Sequence, residues 1–183
     1  ERITPIANNK HLRLLLSKGN NSFQALLFGV TLDSFCFEAG DILDLAVNVD
    51  TNYYKGEYSV SVVIKALRMS ETDDEKLFLE YAASNDFFAG KEYDYKLLLP
   101  SREEVGEIYK KISEKVILED RIKYLFMNKI GYGKTLIALK TLEELGLIEK
   151  QNGSYRAVLG AQKTSLTNSI TFRTLNERSG NND

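Results

Sequence analysis

Apolar positions alternate with polar ones through the first seventy residues, the period of half-buried strands. Lys10 to Leu16 sets Leu12, Leu14 and Leu16 on one face and His11 and Arg13 on the other. Ser22 to Phe28, Asp41 to Val49 and Tyr58 to Leu67 are further runs; in the last, Val60, Val62 and Ile64 share a face. Ile3 to Ile6 supplies another strand, held to an edge or bulge by Pro5. Gly19-Asn20-Asn21 and Lys55-Gly56 stand where hairpin turns belong. The stretch from Thr31 to Gly40 breaks the alternation and reads as a loop or one helical turn. Short strands with one irregular crossing predict a small barrel.

From residue 72 the period changes. Thr72-Asp73-Asp74-Glu75 reads as a capping box, starting a helix that runs to about Ala83. Asn85 to Lys96 is aromatic and polar without a period, and reads as a linker. Ser101 with Glu104 is a stronger helix start, followed by Val105, Ile108, Tyr109, Ile112 and Val116 on one face. A second helix begins at Leu118 or Glu119, with Ile122, Leu125, Phe126 and Ile130 inward. After a turn at Gly131-Tyr132-Gly133, a third turns Leu136, Leu139, Leu142 and Leu145 inward and ends at Gly146. Asn152-Gly153 predicts a hairpin between Leu147–Lys150 and Ser154–Leu159. Ser169 to Leu175 reads as a further strand, and 176–183 as a frayed tail. Three helices followed by a hairpin is the order of a winged helix-turn-helix.

Composition narrows the chemistry. The chain has 183 residues, one His, one Cys and a formal charge of −2. A His/Cys metal cage needs three or four ligands, and a disulfide needs two thiols, so both are excluded. A hydrolytic triad would have to use His11, which has no visible nucleophile beside it. No run reaches the ~20 apolar residues of a membrane helix. The lone Cys36, between Phe35 and Phe37, reads as a small core residue and suits a reducing, cytoplasmic setting. Residues 1–70 hold seven basic and seven acidic residues, 71–100 three and eight, and 101–183 fourteen and eleven. The acidic middle reads as a connector between two modules.

Two motifs are set aside. Gly131-Tyr132-Gly133-Lys134-Thr135 resembles the end of a phosphate loop, but Asn128 stands where that loop needs a glycine and a helix precedes it. What survives is Lys134 at a helix N-terminus, an end that favours phosphate. Asp73, Asp74 and Glu75 are explained by capping without a metal. A third constellation carries more. Lys10, His11, Arg13, Lys18, Lys55, Lys65 and Arg68 are interleaved with Phe23, Phe28, Phe35, Tyr53, Tyr54 and Tyr58. Cations for phosphates and flat rings for bases are what single-stranded nucleic acid requires.

Several of these blocks stand in the order of a known family. Lys10-His11-Leu12-Arg13-Leu14, Ala25-Leu26-Leu27-Phe28-Gly29, Gly40-Asp41-Ile42-Leu43-Asp44-Leu45 and Asn52-Tyr53-Tyr54-Lys55-Gly56 resemble the OB-fold domain of RecJ, a bacterial single-strand-specific DNA exonuclease. The likeness covers about residues 3–70. The stretches Pro100–Lys110 and Lys134–Glu149 look like the C-terminal extension of longer members. The resemblance implies a parent enzyme of the DHH phosphoesterase type, with Mn²⁺ or Mg²⁺ held in domains that precede the OB fold. This chain has no Asp-His-His triplet and begins at Glu1, so it is expected to be the non-catalytic end of such an enzyme, needing no cofactor itself.

The expected fold is therefore α+β: an OB-fold barrel over 1–70, an acidic helix and linker over 71–99, a winged-helix-like domain over 100–175 and a frayed tail over 176–183. Single-stranded DNA is expected at Lys10, His11, Arg13, Tyr54, Lys55 and Lys65. The resemblance also implies single-stranded-DNA-binding protein and a RecQ-type helicase as partners. An acidic tail is expected at Lys129, Lys134, Lys140, Arg156 or Lys163. A rival for the second module is a duplex reader with Lys134, Lys140 and Thr141 in the major groove. A rival for the whole chain is a stand-alone nucleic-acid-binding or regulatory protein unrelated to a nuclease.

Overall fold

A computed structural model describes residues 1–179, with the side chain of Tyr54 outside the described set. The chain divides into two compact units, Glu1–Glu71 and the part from Thr72 onward.

The first unit is five antiparallel or parallel-paired strands: β1 (Arg2–Ile6), β2 (His11–Lys18), β3 (Asn21–Phe28), β4 (Leu43–Tyr54) and β5 (Glu57–Met69). Their order in the sheet is β1-β2-β3-β5-β4, with β3 and β5 parallel through Leu26 and Val63 and the other pairs antiparallel. The meander of three strands, the crossing and the final hairpin are consistent with an OB fold. Each tight turn uses the backbone its residues allow. Gly19 has φ +59° at the first position of the β2–β3 turn, and Lys55 and Gly56 have φ +50° and +87° between β4 and β5. The alternating leucines do what their period demands: Leu12, Leu14, Ala25, Leu27 and Ile64 form the buried core. The crossing holds one 3₁₀ turn, Leu32–Ser34.

The β4–β5 hairpin is longer than its sequence pattern suggests. It also carries a bulge: Ala46 pairs with Ala66 and Val47 with Ile64, which leaves Lys65 as the extra residue. A bulge bends its strand and adds local twist.

The second unit begins with α1 (Asp74–Phe88), then α2 (Arg102–Glu114), β6 (Ile117–Leu118), α3 (Glu119–Phe126), α4 (Tyr132–Glu144), β7 (Ile148–Gln151), β8 (Ser154–Ala157) and α5 (Ile170–Arg178). The three short strands are ordered β6-β8-β7. Ser101 and Glu104 form the expected capping box on α2. Asn152 and Gly153, both at positive φ, turn β7 into β8. Val105, Ile108, Ile112, Ile122, Phe126, Leu139, Leu142, Ile148 and Tyr155 fill the core between helices and hairpin.

Four expectations change here. Residues 71–99 are not a linker: α1 packs on α4, and Ala83, Leu98, Ile137 and Leu175 form a second buried cluster. The irregular Asn85–Lys96 stretch is structured because Phe87, Tyr93, Tyr95 and Leu97 pack on that cluster. The N-cap of α1 is Asp73, which accepts from the Lys76 N–H at 3.0 Å, rather than Thr72. The strand expected at Ser169–Leu175 is helix α5. Its β-branched residues favour a strand, but Ser169 caps the helix and Leu175 is buried. Asn176–Arg178, expected to fray, form its last turn; residues 180–183 lie outside the described residues.

A carboxylate fixes the second layer. Glu80 on α1 is buried, 4 % exposed, and its Oε2 accepts the backbone N–H of Tyr132 at 2.5 Å and of Gly133 at 3.3 Å. The helix N-terminus supplies unpaired donors and a positive dipole end, so a carboxylate suits it. Lys76 approaches the other oxygen at 3.8 Å. Gly131, at φ +117°, leaves room for it; a Cβ there would lie 2.6 Å from Glu80 Oε1. A second carboxylate works alike at α5. Glu144 accepts from Ser169 Oγ at 2.6 Å, Thr171 Oγ1 at 2.6 Å and the Thr171 N–H at 3.0 Å.

Two predictions follow from these carboxylates. Glu80→Ala leaves two buried donors unpaired and should lower the unfolding free energy by about 2–3 kcal/mol in urea titration; a change below about 0.5 kcal/mol contradicts the assigned role. For Glu144, burial raises the carboxyl pKa, but the Ser169 and Thr171 hydrogen bonds and the charge of Lys140 outweigh it and hold the group below its usual value. Its contribution is therefore present above the unfolded pKa of about 4.3 and lost as pH falls through the lowered folded value. Glu144→Gln should show a smaller loss of stability between neutral and acid pH than the parent; equal losses contradict it.

Candidate nucleic-acid interface

The outward face of the first three strands is built by alternation. With Leu12, Leu14, Ala25 and Leu27 turned inward, His11, Arg13 and Leu15 on β2 and Gln24, Leu26 and Phe28 on β3 turn outward. Register then sets the rows. Thr4, Arg13, Leu26 and Val63 lie side by side across β1, β2, β3 and β5. Two residues along, Ile6, His11 and Phe28 form the next row; on the parallel strand β5, Lys65 follows Val63 by two residues, as Phe28 follows Leu26 on β3. The bulge places that lysine without a cross-strand partner on β4.

His11 and Phe28 meet ring to ring, edge to face, with centroids 5.0 Å apart. The Gly29 N–H donates to His11 Nδ1 at 3.0 Å, which fixes the imidazole plane. Phe28 remains 52 % exposed and presents a ring to solvent; Arg13, in the adjacent row, and Lys65 are exposed as well. Lys10 is exposed at the end of the β1–β2 loop. Ala7, Asn8 and Asn9 all have positive φ in that loop, and Asn9 Oδ1 accepts from the Leu32 N–H at 2.9 Å. That bond ties the loop to the 3₁₀ turn.

Four of the six expected contact residues, Lys10, His11, Arg13 and Lys65, thus share one end of one face. Lys55 does not join them. It sits at the β4–β5 turn, and Glu57, where β5 begins, is eight residues from Lys65, about 26 Å at ~3.3 Å per residue. Tyr54 flanks that turn, and its side chain lies outside the described residues. Phe28 is the site residue that the contact set omitted. Its alternation with Leu27 and its place opposite His11 are the signals that identify it.

Charge supports the same face. Residues 2–30 contain Arg2, Lys10, Arg13 and Lys18 and no acid, whereas residues 31–70 hold six acids and three bases. A neutral total over 1–70 conceals a basic half made of β1, β2 and β3. Cations clustered on one strand face are the footprint that phosphates require.

The cations of the second unit are differently placed. Lys129 pairs with Glu107 at 2.6 Å, Lys134 with Glu104 at 3.1 Å, and Arg156 with Glu149 at 2.6 Å. Lys140 is exposed and lowers the pKa of Glu144. Lys163 lines an open groove of about 750 Å³ with Arg102 at its rim and Val105, Tyr109, Leu142 and Phe172 on its walls. The α4 N-terminus is occupied by Glu80, which corrects the reading of Lys134 as a phosphate ligand there. Thr141 is 0 % exposed, which corrects its reading as a residue in the major groove, while Lys140 on the same helix is exposed; α4 packs on α1, α2, α3 and α5.

Among the described residues, no group of three or more His, Cys, Asp or Glu is placed to hold a metal ion, and no helix is long and apolar enough to cross a membrane. Asp73, the first of the acidic run, is spent on the α1 cap.

Comparison with known proteins adds one finding. The sequence model of the RecJ OB domain family matches residues 1–66. No curated protein and no solved structure matches the chain. The matched segment covers β1 to β4 and most of β5, including every residue of the basic face. The N-terminal region of this chain is a RecJ-type OB domain.

Proposed function

We propose that the chain is the non-catalytic, DNA-holding end of a RecJ-like 5′→3′ single-strand exonuclease that works in recombination and repair. The observation that carries this is the acid-free β1–β3 face, with Arg13, Phe28 and Lys65 in adjacent rows inside the matched segment. Phosphates bind the cations, a base stacks on the Phe28 ring, and His11 holds that ring in place. The Mn²⁺- or Mg²⁺-dependent chemistry belongs to domains outside this chain, which itself takes no cofactor. Such a protein works in the cytoplasm.

The second unit is read as a winged helix, from the order α2-β6-α3-α4-β7-β8 and the strand order β6-β8-β7. Its covered α4 favours a protein-docking role over duplex reading. Among the expected tail-binding cations, Lys163 has the best surroundings: an apolar groove with Arg102 nearby. An acidic peptide with one apolar anchor, such as the tail of single-stranded-DNA-binding protein, fits that chemistry. A RecQ-type helicase is the other partner this reading admits.

Fluorescence anisotropy of a labelled oligonucleotide tests the first part. The parent chain should bind at low salt with micromolar strength, weakening as salt rises. Phe28→Ala should cost about 1–3 kcal/mol, and Arg13→Ala and Lys65→Ala should weaken binding and reduce the salt slope. Lys55→Ala should have the smaller effect, because that residue stands off the face. No binding at low salt with protein in excess, or equal losses for Lys55→Ala and Arg13→Ala, would overturn the assignment. For the second unit, an acidic peptide should bind the parent and lose affinity with Lys163→Glu, whereas Lys129→Glu should change it little. The reverse order would remove the groove from consideration.

A further inference from the structure

Beyond the bulge, the β4–β5 hairpin has two unlike faces. Cross-strand pairs Val49–Val62, Thr51–Val60 and Tyr53–Tyr58 lie on one side, continuous with Ile64 of the barrel core. The other side carries Asn48, Asp50 and Asn52 opposite Val63, Ser61 and Ser59, with Glu57 opposite Tyr54. The first side has no charged residue. It is nonetheless open to solvent: Val49 is 61 %, Tyr53 65 %, Tyr58 78 % and Val60 68 % exposed. The Tyr53 and Tyr58 rings meet at 4.8 Å between centroids, tilted by 45°, and both stay largely exposed. β4 is the end strand of the sheet, and among the described residues β5 pairs with β3 at Leu26–Val63, so the far half is a ribbon of two strands. A two-stranded ribbon with an uncovered apolar face is marginal in water.

We propose that this face pairs with the same face of a second copy of the chain, forming a two-fold dimer. The face is self-complementary, as such an interface requires. Each copy offers valines on both strands and a tyrosine pair near the tip, so a rotated copy sets Tyr53 and Tyr58 against valines. With about 150–250 Å² available for a buried aromatic, these side chains cover on the order of 600 Å² per copy. The pair buries about 1,200 Å², the lower edge of specific interfaces. Nucleic acid is the less suitable occupant. The face has no cation, and its reverse side carries Asp50 and Glu57. The inference is independent of the basic β1–β3 face.

Sedimentation equilibrium of the 183-residue chain tests it. Between about 1 and 200 µM, the mass should move from 20.7 kDa toward twice that value. Val49→Lys with Val60→Lys places four like charges in the dimer face and should hold the mass at 20.7 kDa, with an unchanged circular dichroism spectrum. Excess oligonucleotide should leave the parent dimer intact. A parent monomer at every concentration, or a dimer unaffected by the double substitution, overturns the proposal. So does a double variant that loses oligonucleotide binding while the parent's mass stays monomeric, which would give the face to nucleic acid. Loss of DNA binding by Phe28→Ala with dimerisation retained separates this interface from the proposed DNA face.

Discussion

The second unit is organised by one buried carboxylate. Glu80 occupies the N-terminus of α4, and its two acceptor bonds hold α1 against that helix. An unpaired carboxylate at such depth would be costly, and four unpaired N–H groups at a helix start would be too. Each satisfies the other. Gly131 and Gly133 follow as steric requirements, since a Cβ at either would meet Glu80 or Leu97 and Leu98 at under 3 Å. The motif that resembles a nucleotide loop is thus a seat for the protein's own side chain. Once α1 is in place, α4 is covered on two sides, and Thr135, Ile137, Ala138 and Thr141 are buried as well as Leu139 and Leu142.

The first unit depends on segregation of charge. A total near zero would give a weak field if the signs were mixed along each strand. They are not: the three-strand meander is free of acids, and the acids gather in the crossing and the final hairpin. Asp44 there is engaged by Arg68 at 3.3 Å and Ser70 at 3.0 Å, which keeps part of that charge paired. The bulge leaves Lys65 without the partner on β4 that a regular ladder would have given it.

Much of this was legible in the residues. Strict alternation located the strands, Ser101 with Glu104 located α2, and Asn152-Gly153 located its hairpin. What escaped has physical causes. The α1 helix has apolar residues on several faces, among them exposed Phe78, Leu79, Tyr81 and Phe88, so its period is weak. Its inward side is made by Glu80, Ala83 and Ser84, which local pattern reads as solvent-facing. Ile170, Thr171 and Thr174 favour a strand by propensity, and the helix is imposed by Ser169 and by Glu144 twenty-five residues away. At the DNA face, the cations were visible singly. Their grouping required the parallel pairing of β3 with β5, a long-range contact that no short window contains. The same pairing shows why Lys55, attractive beside Tyr54 and Gly56, stands apart.

The boundary at residue 71 has a practical meaning for how such a chain can be divided or recombined. A shuffling event, a protease or a cloning primer that separated the two halves near residue 99, past the end of the acidic stretch, would carry α1 away with the barrel. It would leave Ile137 and Leu175 without Leu98 and Ala83 over them, and the α4 amides without their carboxylate. The usable joint lies where Glu71 meets Thr72, before the helix that looks like a spacer, because that helix is a structural part of the module it precedes.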